Sequence, residues 1–275
     1  MPELPEVETI RRSLEATVCG RLIREVLVRE QRLRHPVDCN ALASVVGHRI
    51  QCLGRRGKYL LIRLDDGRTV LVHLGMSGRL GLYSPRVPLL AHDHVIFSLE
   101  EELQLRYYDP RRFGAIIVLN RGGDGEADIL AALGPEPLSA EFTPSYLMER
   151  ARGRRVAVKA FLMDSKVVAG VGNIYASEAL FVAGIDPRRT AGSLSKEEWR
   201  GLHQAVRRVL RDAIRQGGTT LRDGGFRDPA GEAGYFQTKV KVYGRAGMPC
   251  VRCGGVVVKT VAGGRSSYYC PCCQR

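Results

Sequence analysis

Two stretches of this 275-residue sequence carry residue types at spacings that could do chemistry, one at each end. The first is the opening, MPELPEVE. Removal of the initiator Met1 would make Pro2 the terminus, with a secondary amine whose reference pKa is about 8. Such an amine is partly neutral at physiological pH and can attack an electrophilic carbon. Unlike a primary amine it yields an iminium ion, an electron sink for later elimination steps. Glu3 stands beside it to exchange protons, and Glu6 lies one helical turn on, placed to orient or neutralise. The same residues also suit a plain helix start, because proline and glutamate are both favoured in a first turn. Taken alone, the stretch leaves both readings standing.

The second stretch is the tail. Of eight cysteines, Cys19, Cys39 and Cys52 stand apart, while Cys250, Cys253, Cys270, Cys272 and Cys273 crowd the last 26 residues. Cys250-x2-Cys253-x16-Cys270-x2-Cys273 is the spacing of a four-thiolate zinc site built from two knuckles on a β-hairpin. Cys272 is most simply a bystander, with a one-residue ambiguity in the second knuckle left open. A closed four-thiolate site has no free coordination position, so its metal is structural. The hairpin would present Arg265 at its tip, a position suited to a phosphate contact or to plain solvent exposure.

Several elements must position these ends. Val7, Ile10, Leu14 and Val18 fall at helical spacing over residues 5 to 19, with Pro5 in the first turn and Gly20 as the stop. From Arg21 to about Leu119, runs such as RLIREVLV, KYLLIRL, RTVLVHL, HVIFSL and FGAIIVL predict a β-sandwich or flattened barrel with that helix on its flank. NRGGDGEAD reads as a hinge, and the texture after it is helical. In SKEEWRGLHQAVRRVLRDAIRQGG an apolar stripe of Trp199, Leu202, Val206, Val209, Leu210 and Ile214 faces away from arginines. Residues 217 to 239 are too glycine-rich for a core element and long enough for a functional loop.

Composition narrows the partner. The 42 Lys+Arg against 29 Asp+Glu give a net charge of +13, which points to a polyanion, because basic side chains neutralise phosphates and release counterions. No apolar run approaches the roughly 20 residues of a spanning helix, and no signal-peptide pattern opens the chain. These features place it in the cytoplasm, near the nucleoid if it is bacterial.

MPELPEVETIRR at the start, then RRGKYLL, HLGMSGRL, DPRRFGA, GVGNIYASEALF, GGTTLRD, VYGR and the four-cysteine tail, in this order, closely resemble the bacterial formamidopyrimidine-DNA glycosylases. The resemblance runs from residue 1 to 275 and rests on the ordered set of motifs. Leu4 and GNIYASEA favour this branch over the related endonuclease VIII branch, which typically opens PEGPE.

The resemblance implies an α+β chain: an N-terminal β-sandwich with a flanking helix (1–120), a hinge (121–131), a helical domain with a helix-two-turn-helix and a lesion-capping loop at 217–239 (132–240), and a four-cysteine zinc finger (241–275). It implies excision of oxidised purines, 8-oxoguanine and ring-opened formamidopyrimidines, from duplex DNA, followed by β- and δ-elimination. Pro2 matches the nucleophile, Glu3 the proton-transfer group and Glu6 the second buried acid. Lys58 matches the phosphate-binding lysine, while His73, Asn173, Tyr243 and Arg265 match further backbone contacts. Because a stacked base cannot react, it must be extruded. Met76, Arg111 and Phe113 match the residues that fill the gap, Phe113 as wedge and Arg111 as partner of the orphaned cytosine, giving a preference for damage opposite C. Thr219 and Thr220 are candidate neighbours of the lesion. One structural zinc and a monomer complete the picture. Ser266 and Ser267 at the hairpin, and Ser165 in LMDSK, depart from the family's commoner residues.

Two rivals remain open from sequence: a glycosylase of the endonuclease VIII kind for oxidised pyrimidines, and a non-catalytic zinc protein that binds damaged duplex. A metalloenzyme is disfavoured, since His35, His48, His73, His92, His94 and His203 show no zinc-enzyme spacing.

Overall fold

The computed structural model describes residues 1–120, 129–219, 236–262 and 264–275. The chain forms two compact units, Met1–Ala131 with Gln216–Gln237, and Ala132–Arg215 with Thr238–Arg275. Among the described residues no helix is long and apolar enough to cross a membrane.

The first unit opens with helix α1, Leu4–Val18, whose Leu4, Val7, Ile10, Leu14 and Val18 are buried. Pro5 sits in its first turn, where a missing N–H costs nothing. After Val18 the chain leaves through Gly20 at φ +85°, a left-handed position that favours glycine, and the Gly20 amide donates to Ile50 O at 2.7 Å. Helix α1 packs on strands β2, Ile50–Arg56, and β3, Tyr59–Leu64, and an Arg55–Glu8 ion pair at 3.1 Å ties it to β2.

Eight strands make two antiparallel four-stranded sheets. One has the order β2-β3-β4-β8, with β4 at Thr69–His73 and β8 at Ala115–Leu119. The other is β1-β6-β7-β5, built from Ile23–Val28, Asp93–Leu99, Leu103–Tyr108 and Arg79–Tyr83. Alternation along the strands fills one core: Leu60, Ile62, Leu64, Val70 and Val72 from one sheet join Val95, Phe97, Leu99, Leu105 and Tyr107 from the other, together with the apolar face of α1. The result is the sandwich with a flanking helix. A short helix α2, Cys39–Ala43, lies between β1 and β2 and is capped by Asp38, whose carboxylate accepts from the Ala41 amide. The opposite faces of β3, β4 and β8 bury Leu61, Leu71 and Leu119 under Ile129 and Leu130.

The second unit holds helices α3 (Pro144–Ala151), α4 (Val158–Met163), α5 (Asn173–Ala183) and α6 (Lys196–Arg215). Helix α6 buries Trp199, Leu202, Val206, Val209, Leu210 and Ala213, and Ile214 lies at the edge of that stripe. Helix α5 is buried from Ile174 through Phe181, and ends at Gly184 in the left-handed conformation. The pair α4 and α5 is joined by two tight turns. Both the Val167 and Val168 amides donate to Asp164 O, at 2.9 and 3.0 Å, before the chain turns at Gly170. The tail forms a two-stranded hairpin, β9 (Val258–Ala262) and β10 (Arg265–Tyr269). Its base packs Val242, Cys250, Val257 and Cys270 around Phe181.

Candidate active site and nucleic-acid interface

Pro2 and Glu3 are both buried at the start of α1. Glu3 is the N-cap, and the chain closes a reciprocal capping box: the Glu3 carboxylate accepts from the Glu6 amide, and the Glu3 amide donates to Glu6 Oε2 at 2.8 Å. The helix start and the chemistry inferred from sequence therefore use the same residues. Glu6 does more than cap. Its Oε1 accepts the Thr219 amide at 2.7 Å, so one carboxylate spans the N-terminus and the end of the segment after α6. Gly218, at φ +79°, makes that approach possible: a Cβ there would stand 2.9 Å from Glu6 Oε1. The Phe236 amide donates to Gly218 O at 3.0 Å, so the chain returns to the point it left. Thr219 itself is buried, and Thr220 lies outside the described residues.

Lys58 occupies the second position of a two-residue hairpin between β2 and β3, in register Arg56 opposite Tyr59. Gly57 takes φ +57° and Lys58 does not take a positive φ, the pattern of a type II′ turn. His73 ends β4 directly opposite Tyr59, which brings Lys58 and His73 to one end of the sheet. Burial, then the nearby Lys58 and Arg34 charges, hold the His73 imidazole down to about 4. It is neutral at physiological pH. Its Nδ1 accepts the Gly75 amide at 3.1 Å, which leaves the proton on Nε2 and makes that edge a donor.

Met76 and Phe113 are large apolar side chains left 43% and 45% exposed on neighbouring loops of the sandwich. The Arg111 guanidinium lies 4.8 Å from the Phe113 ring centroid. Isolated exposed apolar residues are common, but two on adjacent loops with a stacked arginine form a compact amphipathic tip.

In the second unit, Asn173 begins α5 and its Nδ2 lies 3.4 Å from the Tyr243 hydroxyl. Its buried Oδ1 has no hydrogen-bond partner among the described residues. Exchanging the two amide atoms would move the unsatisfied position to the nitrogen, so either orientation leaves one polar atom for a ligand. Tyr243 is held by Glu178, whose carboxylate accepts the Lys241, Val242 and Tyr243 amides, all at 2.9 Å. Burial pushes the Glu178 pKa up, while the three amides pull it down. Arg265 is exposed at the first position of β10, beside the hairpin turn. Lys159, itself buried on α4, donates from Nζ to Ser266 O at 2.6 Å and to Ser267 Oγ at 2.9 Å. Ser267, a departure noted from sequence, thus supplies a hydroxyl acceptor that fixes the strand after Arg265.

Cys250, Cys253, Cys270 and Cys273 bring their sulfurs within 4.8 Å of one another, and Cys272 is not part of the group. The Cys250–Cys273 and Cys253–Cys270 sulfurs are 3.9 and 3.5 Å apart. Four sulfurs about 2.3 Å from a tetrahedral zinc would be separated by about 3.8 Å. The cage therefore fits one structural zinc ion, held by these four residues. The Arg252 amide, 3.4 Å from Cys250 Sγ, adds a polar contact to the first knuckle.

Among the buried ionic side chains that sequence reasoning missed are Asp109, Lys159 and Glu178. For Glu178 a signal existed, a lone carboxylate in the otherwise apolar NIYASEALF. Asp109 and Lys159 look like ordinary surface charges until the fold encloses them.

Three family models cover the chain in the order of its elements. Residues 1–116 match the formamidopyrimidine-DNA glycosylase N-terminal domain, 133–224 its H2TH domain, and 247–275 a zinc finger found in FPG and IleRS. Formamidopyrimidine-DNA glycosylases of Thioalkalivibrio sulfidiphilus and Syntrophotalea carbinolica are 51% and 50% identical over 275 residues, covering 100% of both chains in each pair. The crystal structure of the MutM (Fpg) protein of Thermus thermophilus superposes with a TM-score of 0.90 at 43% identity, covering 99% of this chain and 98% of that one. A complex of Lactococcus lactis Fpg with DNA containing an abasic site gives 0.92 at 32% identity, with 99% of each chain covered. With a buried Pro2-Glu3 start, a four-sulfur cage and full-length similarity together, this chain belongs to the formamidopyrimidine-DNA glycosylase family, the bifunctional DNA glycosylase/AP lyases of base excision repair.

Proposed function

We propose that the enzyme removes oxidised purines, preferentially opposite cytosine, as a monomer in the bacterial cytoplasm, and that Pro2 is its nucleophile. The observation that carries this reading is the shared carboxylate: Glu6 binds the amides of both Glu3 and Thr219, so the helix start and the proposed capping segment converge on one point. Once Met1 is removed, the Pro2 nitrogen attacks C1′ of the damaged nucleoside. A proton delivered by Glu3 to O4′ opens the sugar, the base leaves with the electron pair of its bond and takes up the proton shed by the Pro2 amine, and an iminium joins Pro2 to the sugar. Loss of a C2′ proton expels the 3′ phosphate, and a second elimination expels the 5′ phosphate.

Lys58 and neutral His73, with Nε2–H as donor, suit the phosphates flanking the lesion. Asn173, Tyr243 and Arg265 suit phosphates further along the strand. The zinc ion supplies rigidity to the hairpin that carries Arg265. Met76, Arg111 and Phe113 replace the stacking and pairing lost when the base is extruded. The working division of labour is 1–120 for chemistry, 132–240 for duplex and lesion capping, and 241–275 for the finger. Thr219 and Thr220 would border the extruded base.

The test is trapping by borohydride on a duplex with one 8-oxoguanine opposite cytosine. A covalent adduct mapped to Pro2, absent with undamaged DNA, is expected. Its absence from processed, DNA-binding protein would overturn the assignment. A second reading, oxidised pyrimidines as substrates, is favoured by one neighbour: Lactococcus lactis Fpg has been crystallised with DNA containing an oxidised pyrimidine, at 32% identity. Parallel trapping on thymine glycol measures its share.

A further inference from the structure

Asp109 opens the turn that carries Arg111 and Phe113, and none of the roles above uses it. Its side chain is fully buried. Its two oxygens take three donors, from the loop of Met76, from its own loop and from strand β7: Ser77 Oγ donates to Oδ1 at 2.6 Å, and the Gly114 amide and Tyr107 hydroxyl donate to Oδ2 at 2.9 and 3.2 Å. Ser77 directly follows Met76, and Gly114 directly follows Phe113. Burial, then the adjacent Asp109, push the Tyr107 hydroxyl well above its ordinary pKa, so it remains a donor.

The main chain of Asp109 is held as well. Its carbonyl accepts the Arg112 amide at 3.2 Å and lies 2.8 Å from His94 Nε2. The two loops also touch backbone to backbone. Gly75 takes φ +58°, and a side chain there would strike the Phe113 carbonyl and the Gly114 amide. A side chain on Gly114 would strike the Tyr107 hydroxyl and His73 O. Between Arg111 and Phe113, Arg112 takes φ +56°, a left-handed conformation that persists only where the surroundings enforce it.

We propose that Asp109 is the positioning residue that presets Met76, Arg111 and Phe113 as one rigid wedge, and thereby sets how strongly the enzyme discriminates the base opposite the lesion. Side chains that wander before insertion lose that freedom on binding, whereas a preset wedge does not. The inference rests on the reading that these three residues fill the gap left by the extruded base.

The experiment measures single-turnover excision of 8-oxoguanine opposite C and opposite A, for wild type, Asp109→Asn, Ser77→Ala and Arg111→Ala. Asparagine turns one acceptor of the carboxylate into a donor. Excision opposite C is expected to fall about tenfold and excision opposite A much less, so that the ratio moves towards one. Ser77→Ala removes one donor, leaves Asp109 in place, and is expected to move the ratio the same way by a smaller factor. A purely structural role would slow both substrates equally, and an unchanged ratio in Asp109→Asn overturns the proposal. Should that variant fail to fold by near-UV circular dichroism, the Ser77→Ala ratio decides in its place. An unchanged ratio in Arg111→Ala overturns the gap-filling reading and this inference with it. A ratio that collapses in Arg111→Ala but holds in the other two overturns the role of Asp109 alone.

Discussion

At the scale of single residues, the start of α1 separates chemistry from stability. Glu3→Gln keeps a side-chain acceptor at the N-cap, so the unfolding free energy should change by less than about 1 kcal/mol. Base excision, if Glu3 delivers the proton as proposed, should fall on the order of 10²-fold or more in single-turnover assays. His73 carries a prediction with a definite sign. Its folded pKa, about 4, lies below the ordinary 6.5, so between these values the unfolded chain binds a proton that the folded chain refuses. Stability contributed by neutral His73 is present above pH 6.5 and is lost as pH falls from there towards about 4. An NMR titration should find the imidazole uncharged at pH 5.5, and denaturant unfolding of His73→Ala should show a flatter acid limb than wild type.

At the scale of elements, buried polar anchors rather than propensity decide where the functional side chains stand. Glu178→Ala would leave three amides of the Lys241–Tyr243 segment, the Val242 amide buried, without their acceptor, a loss of about 3 kcal/mol. Glu178→Gln keeps one oxygen acceptor and should cost less. Urea midpoints for the two variants check the order. Such anchors also mark how far the sequence was legible. Helix α1, its stop at Gly20 and strands β1, β3, β4, β6 and β8 follow from apolar periodicity. Strand β2 was harder to see, because IQCLGRR breaks its pattern with Gly54 and two arginines, and β5 and β7 are short and mixed in polarity. The zinc ligands were legible from spacing, because chelation demands it. Asp109 and Lys159 were not, because a carboxylate or ammonium declares its function only through the distant groups the fold brings to it.

At the scale of the whole molecule, the excess of positive charge should make duplex affinity fall steeply with salt, linearly in logarithms. Arg265→Ala should reduce that slope by about one if the side chain neutralises one phosphate, as binding titrations at several salt concentrations would show. Removing zinc with a chelator should release the hairpin and weaken duplex binding. The β-sandwich has a core of its own and should keep its far-UV circular dichroism. The hydrogen bond between Phe236 and Gly218, with Glu6 gripping Thr219 beside it, has a wider consequence. Whatever sequence runs from 220 to 235 begins and ends on the same post. Closing a longer segment on such a post adds only about 0.6 kcal/mol for each doubling of length. Lineages can therefore exchange this stretch as a cassette, at little cost to the post on which it closes.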